Sequence, residues 1–269
     1  MTTARIFGSF LRRDWVTAKS YRLNFVLDLI NTFLGLALFF FLGRLVDASR
    51  FGQETGLRNG YFSFVVIGIV LLRLVQTGIS SFASKIRSEQ TSGTLEAVLA
   101  TPASNGVIIL ASAGYEFVQA TLSALIALGL AVGVFGMRMS VSFASVTIAI
   151  WALVATIVFF ACIGISVAAF TLVFKQPGAL LGLITAGLAL VGGAYFPIRL
   201  LPPPIHFFSQ LLPFTWSLDL IRGALLENRL EPLELALLTA TSLVALPITL
   251  RLFSLALKHA RRKGTLSHF

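Results

Sequence analysis

Few residues in this 269-residue chain are of kinds that do chemistry, and their spacing excludes most of it. The histidines, His206, His259 and His268, lack metal-ligand spacing, so no metal site is expected. Ser80 follows Gly78 and Ile79, faintly like the motif of an intramembrane serine hydrolase, but no histidine falls in a predicted span to serve as its base. No glycine is followed by lysine, so a G-x-x-x-x-G-K-S/T phosphate loop is absent and the chain cannot bind nucleotide in that manner. Two groups remain. One is a set of charges in apolar surroundings, Asp28, Arg73 and Glu116; the other is the polar stretch RSEQTSGTLEAVLATP, Arg87 to Pro102, lying between two apolar runs.

The elements that position these groups follow from composition. Hydrophobic residues make up 57% of the chain and charged ones 12%, with mean hydropathy +0.89 and charge-free runs at Met139 to Phe174 and Gln176 to Ile198. Only a bilayer tolerates that much apolar surface, so an all-α integral membrane protein is expected. No cleavable signal peptide is expected, because the basic N-terminus leads into an apolar run long enough to cross. Cys162 lies inside an apolar run and reads as packing.

Crossing takes about twenty apolar residues, and six spans are predicted: Leu23 to Leu45, Tyr61 to Ser84, Val107 to Phe135, Val141 to Phe174, Ala179 to Tyr195 and Leu233 to Leu257. Six spans put both termini on one side. Arg5, Arg12, Arg13, Lys19 and Arg22 precede the first span, Lys85 and Arg87 follow the second, Lys175 follows the fourth, and Lys258, Arg261, Arg262 and Lys263 follow the last. Short-loop lysine and arginine mark the cytoplasmic side, so both termini are expected there. The outer segments carry Arg44, Arg50, Arg58, Arg138, Arg199, Arg222 and Arg229, but the first and last of them also carry acids. The net charge of +10 is then chiefly a signal of topology and of attraction to anionic lipid; no basic cluster with interleaved aromatics forms a nucleic-acid module.

Three stretches interrupt the spans. Residues 1–22 hold IFGSFLRRDWVTAK, with Phe7, Leu11 and Trp15 at four-residue spacing and Arg12, Arg13 and Lys19 away from them, the pattern of a helix lying in the inner interface. Residues 23–269 then form one permeating domain. Within the opening stretch, Thr94 can cap a short helix over about 94–101, with Glu96 in its first turn, Leu95, Val98 and Leu99 on one face and Pro102 as its stop. Two turns cannot stand alone in water, so this apolar face needs a membrane surface or a partner protein. After the fifth span, Pro197, Pro202, Pro203, Pro204 and Pro213 break any helix among residues too apolar for free solution, including Phe207, Phe208, Phe214 and Trp216. Two short helices dipping back into the outer leaflet, over about 197–226, are expected.

Glu89, Gly93, Thr94, Leu95, Glu96, Leu99, Thr101 and Pro102 together resemble the first cytoplasmic loop of type-two ABC transporter permeases, the membrane subunits of ABC exporters. The family's second landmark, a glycine pair, an aromatic-proline step, leucine-proline steps and an arginine, is similar to Gly192, Gly193, Phe196, Pro197, Pro202, Pro213 and Arg222. The resemblance covers essentially the whole chain. It implies that Glu89 to Pro102 couple to a separate ATPase, which binds ATP and magnesium and is present in two copies, and that this chain holds no cofactor. It implies further that two copies of the chain form the pathway, spans one and five meeting across the pair, with the Gly192–Arg222 region as an outer gate. RRDWVTAKSYRLNFVLDLI is more similar to the drug and lipid exporter branch than to the polysaccharide branch; ion or heme-related cargo stays open, as do an intramembrane enzyme and a membrane scaffold as different classes.

Arg73 and Glu116 each fall about ten residues from the inner ends of spans two and three, hence at a similar depth of about 15 Å. Unpaired charges at mid-membrane cost about 2.5–3.5 kcal/mol or more. An Arg73–Glu116 pair is therefore expected, with Asp28 as the competing partner and a watery pathway as the alternative for Arg73. Gly129 with Gly133, and Gly178 with Gly182, have G-x-x-x-G spacing and are expected to pack within the chain.

Overall fold

The structure, a computed structural model, describes residues 8–9, 11–16, 22–46, 60–94, 105–140, 142–174 and 177–262. Leu95, Glu96, Val98, Leu99, Thr101 and Pro102, and with them the expected coupling helix beyond Thr94, lie outside the described residues.

The described chain is helical throughout its ordered elements: α1 (Arg22–Leu45), α2 (Gly60–Thr91), α3 (Asn105–Ser112), α4 (Gly114–Gly133), α5 (Phe143–Phe174), α6 (Pro177–Val191), α7 (Pro203–Gln210), α8 (Pro213–Arg222) and α9 (Pro232–Arg262), with a 3-10 turn at Ile198–Leu200 and a π-helical turn at Gly223–Glu227. Five of these, α1, α2, α4, α5 and α9, are long and apolar enough to cross a membrane. α6 is apolar but has only 15 residues, about 22 Å of rise. The expected fifth span ran on to Tyr195. The helix instead stops at Val191, because Gly193 takes a left-handed φ of 78° that turns the chain.

α2 is the centre of the bundle. Two thirds of its apolar window is buried (67%), against 6% for α1, so α2 packs on all sides while α1 has most of its apolar surface uncovered by the described residues. α5 is the other core helix and packs most extensively on α9 and α2. In lipid no hydrophobic force drives helices together, so close approach through small residues has to supply the contact. The α2–α5 seam does this at Gly164, where a Cβ would collide with the Gly78 carbonyl and lie 2.9 Å from Phe82, and at Gly78, whose Cβ would meet Phe160 at 3.4 Å. The spaced pairs Gly129/Gly133 and Gly178/Gly182 are not the contacts: a Cβ at any of them would meet nothing within 4 Å. Their expected packing within the chain is therefore corrected, since those glycines face outward.

The prolines set the segment after α6. Pro202 caps α7, which opens on Pro203, and Pro213 opens α8, positions where a missing N–H costs nothing. These are the two short helices expected from the sequence. α7 leaves Phe207 and Phe208 exposed, whereas α8 buries Phe214, Leu218, Leu220, Ile221 and Arg222. The π-helical turn after α8 closes at Asn228, left-handed at φ 57°, whose side-chain oxygen accepts hydrogen bonds from Ser142 (2.7 Å) and Ser145 and so ties the turn to the start of α5.

Candidate functional site

Three clusters lie along α2. At its C-terminal end the helix terminates in a glycine cap. Gly93 has φ 69°, its N–H donates to the Gln90 carbonyl (3.0 Å), and the Thr94 N–H donates to the Glu89 carbonyl (2.9 Å), the paired bonds of a Schellman turn. The Thr94 hydroxyl donates to the Glu89 carboxylate. The glycine of the polar stretch thus ends α2 and fixes the direction in which the loop leaves it. Arg13 Nη1 donates to Glu89 Oε1 (2.9 Å), while buried Asp14 is bridged by Arg13 Nε (3.1 Å) and Lys85 Nζ (2.9 Å). Trp15 packs edge-on against Tyr115, with centroids 6.4 Å apart. The N-terminal helical segment 11–16 is therefore clamped to the C-terminal end of α2 and the N-terminal end of α4. The sequence reading assigned it an apolar stripe and missed Asp14, whose single acid among basic neighbours was the available signal.

The second cluster is midway along α2. Arg73 Nη2 lies 2.5 Å from Asp28 Oδ1, its Nη1 donates to Thr32 Oγ1 at 2.7 Å, and Ser123 donates to Asp28 Oδ2 at 3.3 Å. The expected Arg73–Glu116 pair does not form. Glu116 faces Lys85 instead, at 3.7 Å, about twelve residues nearer the C-terminal end of α2 than Arg73. The depth count from Val107 assumed one continuous helix. The chain is interrupted at Ala113 (φ −93°, ψ −4°), so Glu116 falls in the first turn of α4, level with Lys85.

The third cluster is at the N-terminal end of α2. Arg222 is 4% exposed and its guanidinium donates to three carbonyls: Phe64 (Nε 3.2 Å, Nη2 3.0 Å), Gly193 (Nη1 3.0 Å) and Ala194 (Nη2 3.1 Å). Its Cζ stands 3.4 Å from the Phe64 ring centroid. The planar fork suits this task because the turn after α6 presents carbonyls that no helix satisfies. The approach requires two glycines: a Cβ on Gly68 would collide with the Ala194 carbonyl and lie 2.8 Å from Arg222 Nη2, and one on Gly192 would collide with the Phe214 ring. Gly192, Gly193, Pro197 and Arg222 border one cavity of about 410 Å³; Phe196, Pro202 and Pro213 do not line it. Sequence reasoning found Arg222 and Gly193 but not Gly68 or Phe64, since a lone glycine in an apolar span carries no spacing signal.

Among the described residues no group of histidine, cysteine, aspartate and glutamate is arranged to hold a metal. The clusters hold helices in fixed relation; none brings a nucleophile to a base.

The chain's residues 6–226 match the ABC-2 type transporter family. It is 25% identical over 232 residues to proteins described as inner membrane transport permease YadH, from Escherichia coli K12, Escherichia coli O157:H7 and Shigella flexneri. Each alignment covers 81% of this chain and 86% of the relative. With a match across most of its length and five helices able to cross a bilayer, the chain belongs to the ABC-2 type transporter family as a multi-pass membrane protein.

Proposed function

We propose that this chain is the transmembrane subunit of an ATP-driven exporter in the inner membrane, and that two copies form the pathway for an amphipathic drug-like, lipid or glycan-linked cargo. ATP and magnesium are bound by a separate ATPase, present in two copies, and membrane lipid surrounds the assembly. The chain crosses six times with both termini cytoplasmic, α6 being the short fifth crossing and the α7–α8 hairpin dipping into the outer leaflet as a gate.

The observation that carries this reading is the continuity of α2. One helix runs from the outer cluster at Phe64 and Gly68, through Arg73, to the cap at Gly93 where the polar loop begins. From Phe64 to Glu89 it spans about 37 Å. A displacement of the loop by a closing ATPase dimer is thereby delivered to the outer side as rigid-body movement. The largely uncovered apolar surface of α1 supports the pairing of two copies.

The test is reconstitution of the chain with its ATPase in proteoliposomes. ATP-dependent movement of an amphipathic probe, lost when the ATPase is replaced by a hydrolysis-dead variant, supports the reading. Failure of the chain to retain any ABC ATPase through purification contradicts it.

A further inference from the structure

A cavity of about 260 Å³ opens between α1, α2, α4 and the turn after α6, bordered by Arg73, Thr32, Asn31, Gln76, Ser123 and Tyr195. It lies midway along α2, about 20 Å from Gly60 and about 18 Å from Lys85. Polar side chains in a spanning bundle have no water to satisfy them, so each needs a protein partner or a ligand. The charged members have theirs: Arg73 is held by Asp28 at 2.5 Å and by Thr32 at 2.7 Å, and the second Asp28 oxygen accepts from Ser123 at 3.3 Å. Three of the uncharged members do not. Among the described residues the Asn31 and Gln76 side-chain amides and the Tyr195 hydroxyl have no hydrogen-bond partner, and they border the same cavity. Tyr195 also stacks on Phe39, another lining residue, at 5.8 Å and 20°. The site therefore combines a neutralised ion pair, unused amide and hydroxyl groups, and an aromatic wall.

We propose that this cavity binds the uncharged, hydroxyl-bearing head of the cargo and discriminates against anionic heads. The inference rests on the permease reading and assigns its cargo class. An anion would have to share Arg73 with the Asp28 carboxylate beside it, and a cation would meet the Arg73 guanidinium. A hydroxyl-rich neutral head adds hydrogen bonds to Asn31, Gln76 and Tyr195 without disturbing the pair. The volume is smaller than the roughly 300–1,000 Å³ of pockets for drug-sized molecules, so it fits a head group whose apolar remainder stays in lipid.

The experiment uses the full chain in nanodiscs and two photoactivatable diacylglycerol probes with identical tails, one headed by a hexose and one by a phosphate. In the wild type the hexose probe is expected to label peptides containing Asn31 or Gln76 about tenfold more than the phosphate probe, a difference of about 1.4 kcal/mol. Asp28→Asn, which frees Arg73, should reverse the preference toward phosphate. Asp28→Asn with Arg73→Gln should restore the preference for hexose. Tyr195→Phe, which keeps the ion pair and removes one of the unused hydroxyl groups, should weaken hexose labelling with the preference unchanged, and serves if Asp28→Asn does not fold. Equal labelling by both probes, preference for phosphate in the wild type, labelling elsewhere, or labelling by neither probe overturns the proposal. Transport with the ATPase is measured separately: probes that label the cavity but are never moved by ATP sink the permease reading and leave the site standing, whereas ATP-driven movement without cavity labelling does the reverse.

Discussion

Arg222 and Phe64, 158 residues apart in sequence, are joined by two hydrogen bonds from the guanidinium to the Phe64 carbonyl and by the stacking of that guanidinium over the Phe64 ring. This contact fastens the α7–α8 hairpin to the start of α2. A charged donor shared among buried carbonyls contributes about 1.5–3 kcal/mol per hydrogen bond, and losing it leaves those carbonyls unsatisfied. Arg222→Lys is expected to fail as a replacement, because one ammonium cannot reach Phe64, Gly193 and Ala194 in the planar arrangement. Thermal unfolding in detergent should show Tm lower by about 5 °C or more for Arg222→Lys, and lower still for Arg222→Leu. An unchanged Tm in both variants would show that the contact is not structural.

Gly68 and Gly129 form a matched pair of tests. Gly68→Ala forces a methyl group into the Ala194 carbonyl and the Arg222 guanidinium, while Gly129→Ala adds one to open space. Over-packing of this kind costs about 1–3 kcal/mol. Gly68→Ala should reduce the yield of monodisperse protein and its Tm; Gly129→Ala should leave both as in the wild type.

The partner of Arg73 is tested by charge exchange. Arg73→Asp and Asp28→Arg should each impair assembly, since each leaves uncompensated charge at mid-membrane worth about 2.5–3.5 kcal/mol or more. The double exchange should recover part of the loss, measured as membrane-inserted, monodisperse protein. The corresponding exchange between Arg73 and Glu116 should recover nothing, because Glu116 is turned to Lys85.

Arg13 and Glu89 tie the N-terminal segment to the last turn of α2 at 2.9 Å, with the Arg13 side chain 45% exposed. An exposed pair of this type contributes only about 0.2–1 kcal/mol, but Arg13→Glu also sets a carboxylate beside buried Asp14, so Tm should fall modestly. Its expected effect is on coupling: ATP hydrolysis per cargo moved should rise, and Arg13→Glu with Glu89→Arg should bring the ratio back. Unchanged stoichiometry in Arg13→Glu would remove the N-terminal segment from the moving unit.

Much of this architecture is legible in the sequence because its causes are local. Apolar runs of sufficient length identify the spans, Pro203, Pro213 and Pro232 open helices at positions that need no N–H, and Gly93 ends α2 in a left-handed turn. Relations between helices are less legible. The depth of Glu116 cannot be counted along the chain once Ala113 interrupts the helix, and so its partner was misassigned. Close approach is decided by which face a glycine presents: Gly129 and Gly133 have the familiar spacing but face outward, whereas Gly68, Gly78 and Gly164 have none and lie at the contacts. The burial of Asp14 depends on Lys85, seventy-one residues away, which no local pattern reports.

In the proposed function the polar loop after Gly93 receives force from a separate ATPase and α2 carries it outward. Leu95 and Leu99 are the apolar residues expected to seat in that ATPase, and a carboxylate placed in an apolar cleft costs several kcal/mol unless it is paired. The direct measurement is ATP hydrolysis and probe export in the same proteoliposomes for the wild type, Leu95→Asp and Leu99→Asp. Hydrolysis persisting near its basal rate while export falls to background is the expected result; export at the wild-type rate in both variants, with the ATPase still bound, would contradict the account.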